Sequence, residues 1–170
     1  MVIWSHNLHV GHTRGTDVAR AGRISFGQLA REKWGRDAVL IGFTTDSGTV
    51  TAASDWWNSP PARIPLKPAV QDSYEAVFHQ TDSRRFLLDL RQKNRATENL
   101  RAPRLEHFLR VVYRAESERE CDYFQTGLTE QFDAVIHIDE PRAVEPLERT
   151  TEWEDRRAQV IENSFVPVKA

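Results

Sequence analysis

The chain has 170 residues, of which 39% are hydrophobic, enough for one folded domain with a buried core and not the composition of a disordered tail. Its 23 lysines and arginines against 25 aspartates and glutamates leave a formal charge of −2, so no global basic field exists to hold nucleic acid or anionic lipid. The longest apolar run, Ala38 to Ile41 extended by Gly42 and Phe43, falls far short of the roughly 20 residues that cross a bilayer. Met1 to Asn7 has neither the basic start nor the apolar stretch of a signal peptide, which places the chain in the cytoplasm. Cys121 is alone among charged residues, so no internal disulfide forms, and the thiol is read as structural.

Val2-Ile3-Trp4-Ser5 reads as an apolar buried strand, followed by a polar, glycine-bearing loop from His6 to about Arg23. A buried strand needs neighbours on both sides, so this abrupt opening predicts part of a larger domain. Ser25 is placed as an N-cap, Phe26, Leu29, Ala30 and Trp34 recur at helical spacing, and Gly35 supplies the C-cap. Ala38 to Thr44 reads as a buried strand that turns at Asp46-Ser47-Gly48 into Thr49 to Ala53, a hairpin at about 39–53. Pro60, Pro61, Pro65 and Pro68 exclude both helix interior and central strand, so 54–68, with Trp56 and Trp57, is expected to be a long loop.

Asp72 and Glu75 have capping-box spacing and open a short helix through about Gln80. A strand follows over 85–90, then a polar, partly helical stretch over 92–103, an ambiguous apolar stretch from Phe108 to Tyr113, and a short helix within 118–127. Phe132 to Asp139 is the last clear strand, and a proline-punctuated segment runs on to Leu147. Strands interleaved with helices predict an α/β protein with a mostly parallel sheet, flanking helices and the hairpin at one side. The domain is placed over 1–147 and expected to be incomplete, with a charged, helix-prone tail over 148–170. There is no internal repeat and no second-domain linker.

The chemistry concentrates in His6-Asn7-Leu8-His9-Val10-Gly11-His12, at the exit of the first expected strand. Open α/β sheets bind ligands beyond the carboxyl ends of their strands. Imidazole near its ordinary pKa can take a proton from water and return it, so His6 and His9 suit general acid–base hydrolysis, and Asn7 can donate to a developing oxyanion. The plainer alternative is three loop histidines with ordinary hydrogen bonds. A metal held by His6, His9 and His12 is the third reading, although an extended loop does not stack these positions as a helix would.

Other candidates carry both a cleft and a structural explanation. Glu75 could border a cleft or cap its helix, and Trp56 could cover a bulky ligand or anchor its loop. Arg91 could bind a carboxylate or form a surface ion pair, and Gln28 could face the cleft or solvent. Asp139 and Glu140 end the last strand at the ligand-bearing edge, where capping the next turn explains them comparably. His79 and His107 show no constellation.

His6-Asn7-Leu8-His9-Val10-Gly11, Phe26-Gly27-Gln28-Leu29 and Ile41-Gly42-Phe43 resemble the erythromycin esterase family. So do Gly48-Thr49-Val50-Thr51-Ala52-Ala53 with Trp56, Ser73-Tyr74-Glu75-Ala76-Val77-Phe78, Leu87-Leu88-Asp89-Leu90-Arg91, and Phe132 to Glu140, in order to Leu147. The resemblance implies a cofactor-free, metal-independent hydrolase that opens an ester or macrolactone with activated water. It gives His6 and His9 catalytic or substrate-positioning roles, while Asn7, His12, Gln28, Trp56, Glu75 and Arg91 stand as substrate-binding candidates from the reading of the residues themselves. The family's principal general-base histidine and its glutamate precede this segment, so the chain resembles the C-terminal portion only. At His12 the family often has an acidic residue, a departure that leaves any charge role there open. The expected partners are a small-molecule ester or lactone, and either a separate N-terminal chain or a second copy. The alternative is a non-catalytic module that needs such a partner.

Overall fold

The computed structural model describes residues 1–57 and 59–147 together with Thr151 and Trp153. The tail expected over 148–170 otherwise lies outside the described residues. The elements are α1 (Asn7–Val10), α2 (Phe26–Trp34), β1 (Ile41–Thr44), β2 (Gly48–Ala52), β3 (Ala62–Leu66), α3 (Tyr74–His79) and β4 (Arg85–Asp89). They continue with α4 (Arg95–Asn99), β5 (Arg104–His107), α5 (Glu118–Cys121), β6 (Tyr123–Thr126), α6 (Leu128–Gln131) and β7 (Ala134–Ile138). Among the described residues no helix is long and apolar enough to cross a membrane.

The α/β class holds, but the sheet is not mostly parallel. A three-stranded sheet has the order β1-β7-β4, with β1 parallel and β4 antiparallel to β7. Two further pairs, β2–β3 and β5–β6, are antiparallel. The hairpin expected over 39–53 does not form, because β1 and β2 pair with different strands. The amides of Asp46 and Ser47 both donate to the Asp139 carbonyl, which holds the chain beside the end of β7. Gly48 then turns at φ +104, where a Cβ would lie 2.4 Å from the Pro141 carbonyl oxygen, so the backbone leaves the sheet through a position closed to larger residues.

β3 lies inside the stretch expected to be all loop. Pro65 is accommodated because β3 pairs with β2 alone, and an edge strand can lack an N–H on its free side. Val2 to Ser5 is not a strand. No described segment pairs with it, and Val2 is 90% and Trp4 82% exposed. The loop after it contains α1 and two 3₁₀ turns, Thr13–Gly15 and Asp17–Ala21. The helix expected within 118–127 stops at Cys121, an exposed thiol, and β6 takes the rest.

Helix α2 matches its sequence signals. The Ser25 hydroxyl accepts from the Gln28 amide and Gly35 caps the C-terminus at φ +52. α3 is capped one residue later than expected: Ser73, not Asp72, accepts the Ala76 amide, which frees Glu75 from any capping role. One core cluster joins Leu40, Tyr74, Phe78, Leu90, Leu100, Leu128, Phe132 and Val135, packing α3, α4 and α6 against one face of the three-stranded sheet. A smaller cluster of Ala52, Leu66 and Tyr113 lies under β2 and β3.

Candidate active site

The His6-Asn7-Leu8-His9 segment forms the start of α1, and each polar side chain in it has a distinct role. His6 is the N-cap: its Nδ1 accepts from the Leu8 amide at 3.2 Å, while Nε2 sits 2.5 Å from the Leu109 carbonyl oxygen. The ring therefore carries its proton on Nε2, and both nitrogens are in use. Burial pulls its pKa below the ordinary histidine value, only partly offset by the Leu109 carbonyl. Asn7 clamps β1, donating Nδ2–H to the Phe43 carbonyl at 2.7 Å and accepting the Phe43 amide on Oδ1 at 3.0 Å. His9 is exposed, its ring lies edge-on to His6 at 6.2 Å, and its nitrogens make no hydrogen bond to the described residues. Of the two expected catalytic histidines, His9 is open to solvent and His6 has both ring nitrogens engaged.

The remaining candidates divide sharply. His12 caps the Thr13–Gly15 turn by accepting the Arg14 amide, and burial lowers its pKa with Arg14 and Arg31 acting in the same direction. Gln28 is buried and donates to Glu32 Oε1 at 3.0 Å, the oxygen that Arg14 also engages. Arg91 is exposed and grips Asp89 through Nε at 3.0 Å and a terminal nitrogen at 3.1 Å, a surface pair that holds the Asp89 carboxyl well below the usual range. Trp56 edges a cleft of about 130 Å³ shared with Arg110, Val112, Arg114, Ser117, Cys121 and Asp122. That cleft adjoins the histidine segment in sequence and in charge: Leu109, which holds His6, precedes Arg110, and both Arg110 and Asp122 act on the His6 ring.

Glu75 is fully buried in an acidic group with no precedent in the sequence reading. Its Oε1 accepts the His107 amide at 3.0 Å, while Oε2 has no partner. Glu106, equally buried, accepts on Oε2 from the Thr126 hydroxyl at 2.8 Å and from the Gln131 amide, while its Oε1 has no partner among the described residues. Burial pushes the Glu75 carboxyl up to about 8, with Glu106 adding to the effect, and pushes Glu106 up to about 7. His107 stacks on Tyr123 at 4.5 Å, and burial lowers it to about 4, so its 3.2 Å approach to Glu118 is not an ion pair at neutral pH.

Glu106, His107, Arg110 and Asp122 were missed because the short strands β5 and β6 pair residues 16 to 22 positions apart, from His107 with Tyr123 to Arg104 with Thr126, and the Arg110–Asp122 ion pair follows from that pairing. Burial along Arg104-Leu105-Glu106-His107 does not alternate: Glu106 and His107 are both buried while Leu105 is half-buried, the reverse of what polarity predicts. Among the described residues, one group places metal-ligating atoms close together: Asp46, His79 and Asp139. No loop histidine belongs to it.

Residues 1–141 match the family model described as Erythromycin esterase, and the chain belongs to the erythromycin esterase family. Among solved structures it is similar to a succinoglycan biosynthesis protein, at 26% identity and a TM-score of 0.67 over 82% of this chain and 32% of that one. It is also similar to a Bacillus cereus protein, at 21% identity and a TM-score of 0.68 over 82% of this chain and 33% of that one. A mutant erythromycin esterase in its open conformation aligns at 19% identity and a TM-score of 0.48 over 79% and 30%. The chain spans about a third of the length of these structures.

Proposed function

We propose that this chain forms one wall of a site that hydrolyses a carboxylic ester or macrolactone with histidine-activated water. The observation that carries the reading is the division of labour between the two histidines: His9 has free ring nitrogens beside a neighbour, His6, whose nitrogens are both held. His9 accepts the proton from water, His6 fixes the segment, and Asn7 contributes an amide when it leaves Phe43. Arg110 at the cleft offers a positive charge to a developing oxyanion or a substrate carboxylate. Trp56 edges the cleft that also holds Arg110. No metal is required for this water-activating step, and the site works in the cytoplasm on a small molecule.

Because the chain spans about a third of its solved relatives, the reading includes a contribution from further polypeptide, covalently continuous or separate, that completes the site around His9. The test is an ester and lactone panel assayed on the chain and on any longer form of the protein. His9→Ala is expected to lower kcat at least about a hundredfold, the usual weight of a proton-transfer group, while His6→Ala lowers activity and stability together. Unchanged hydrolysis by the His9 variant would remove the reading.

A second reading, a non-catalytic module that pairs with a second copy or a separate chain, is favoured by the exposed apolar residues Trp4, Ile41, Phe43 and Leu87. Solution mass separates the two: a monomer inactive on every ester opposes both a self-associating module and a self-sufficient enzyme.

A further inference from the structure

Asp46, His79 and Asp139 come from three separate elements. Asp46 follows β1, His79 ends α3 and Asp139 follows β7, so the residues meet at the carboxyl ends of the two parallel strands. One ligand atom from each lies within 4.8 Å of the others. The two carboxylates are buried, at 4% exposure for Asp46 and 1% for Asp139, while the His79 side chain is 43% exposed and opens the group to solvent.

The two carboxylates are treated unequally. Three nitrogens crowd Asp139: His79 Nδ1 at 2.8 Å, His137 Nε2 at 3.3 Å, and an Arg84 guanidinium nitrogen. Asp46, nearly as buried, has a looser positive neighbour, His79 Nδ1 at 3.5 Å from its Oδ2. Two buried carboxylates this close together are costly unless positive charge compensates both. A cation placed between them would meet one oxygen of each together with a His79 ring nitrogen.

We infer that Asp46, His79 and Asp139 bind a divalent cation, independently of the hydrolytic reading. One imidazole and two carboxylates form a mixed nitrogen and oxygen donor set, which suits Zn²⁺ or Mn²⁺ better than Mg²⁺ or Ca²⁺ with their all-oxygen preference. Three protein ligands leave positions for water on the open His79 side. His137 lies behind Asp139, its other nitrogen 3.0 Å from the Thr44 hydroxyl, and orients that carboxylate from the second layer. Arg84 is the competitor. Its side chain is 64% exposed and pairs with Asp139 Oδ2, so it supplies a positive charge when the cation is absent and can swing into solvent when the cation enters.

The experiment is calorimetric titration of the metal-stripped chain with ZnCl₂ and MnCl₂, and with MgCl₂ for comparison, alongside thermal melts. The expected result is one saturable Zn²⁺ or Mn²⁺ per chain and a raised Tm, with Asp46→Asn weakening binding at least tenfold. Arg84→Gln is expected to tighten binding several-fold, because the competing charge is gone. If Asp46→Asn fails to fold, as read by near-UV circular dichroism, the Arg84→Gln titration and a His79→Gln variant decide. Absence of saturable binding in both the wild type and Arg84→Gln overturns the inference. So does an Arg84→Gln protein that loses stability with unchanged affinity, which would define a plain ion-pair network. Binding that survives Asp46→Asn and disappears with His9→Ala and His12→Ala would locate the metal at the loop histidines instead, and also overturns it.

Discussion

The two faces of the β1-β7-β4 sheet have similar sequences and opposite fates. On one face Val135, Phe86 and Leu88 pack against Phe78, Phe132 and the rest of the core, and Val135 and His137 are fully buried. On the other, register aligns Phe43 with Ile136 and Ile136 with Leu87, an apolar row across all three strands. There Phe43 is 39% and Leu87 62% exposed, and the Trp4 ring lies against Phe43 at a ring separation of 5.3 Å. Hydrophobicity alternating along a strand shows which positions can be buried, but a side chain is buried only where another element covers it.

This contrast can be broken by substitution on each face. Leu128→Ala or Phe78→Ala, in the covered core, is expected to cost about 3–5 kcal/mol in urea unfolding through lost burial and the cavity left behind. The next effect is pH-dependent and belongs to the carboxyl floor. Glu75 and Glu106 titrate in the folded chain at about 8 and about 7, above the ordinary 4.5, so the folded state holds protons that the unfolded state has released. Their contribution is therefore present below about pH 5 and declines as pH rises towards 8. Melting temperatures measured from pH 5 to 8.5 should fall, and Glu75→Gln should flatten that slope. Asn7→Ala leaves the Phe43 amide and carbonyl without their side-chain partner and should cost about 1–2 kcal/mol. The smallest effects belong to the surface. Leu87→Ser and Arg91→Ala should each change stability by less than about 0.5 kcal/mol, since one is uncovered and the other loses only an exposed ion pair. A Leu87→Ser variant that loses more than about 1 kcal/mol, or whose solution mass halves, would show that something covers the open face.

Elements whose signals are local were legible in the sequence. Ser25 and Gly35 bracket α2, the apolar run around Val135 marks β7, and the Arg85 to Leu90 stretch forms β4 nearly as read. Elements whose identity depends on a distant partner were not. β3 exists despite Pro65 because β2 needs one antiparallel neighbour, and Val2 to Ser5 stays irregular because it has none. The same division runs through the candidate site. The histidine segment was visible as a pattern, whereas the separation of His6 from His9 depends on the Leu109 carbonyl, over a hundred positions away. Glu75 was read through a local cap when its environment is set by Glu106 and the His107 amide. His79 looked isolated because Asp46 and Asp139 reach it only once β1 and β7 lie side by side.

The Asn7 amide makes both of its Phe43 contacts on the edge of β1 that faces away from β7. It imitates one rung of an absent strand, and so acts as a stopper on a sheet edge that would otherwise template its own extension. Any polypeptide that lengthens the sheet at β1 must first evict it. Joining a neighbour there therefore frees the Asn7 amide at the same moment, which couples growth of the sheet to release of a polar group beside His6 and His9.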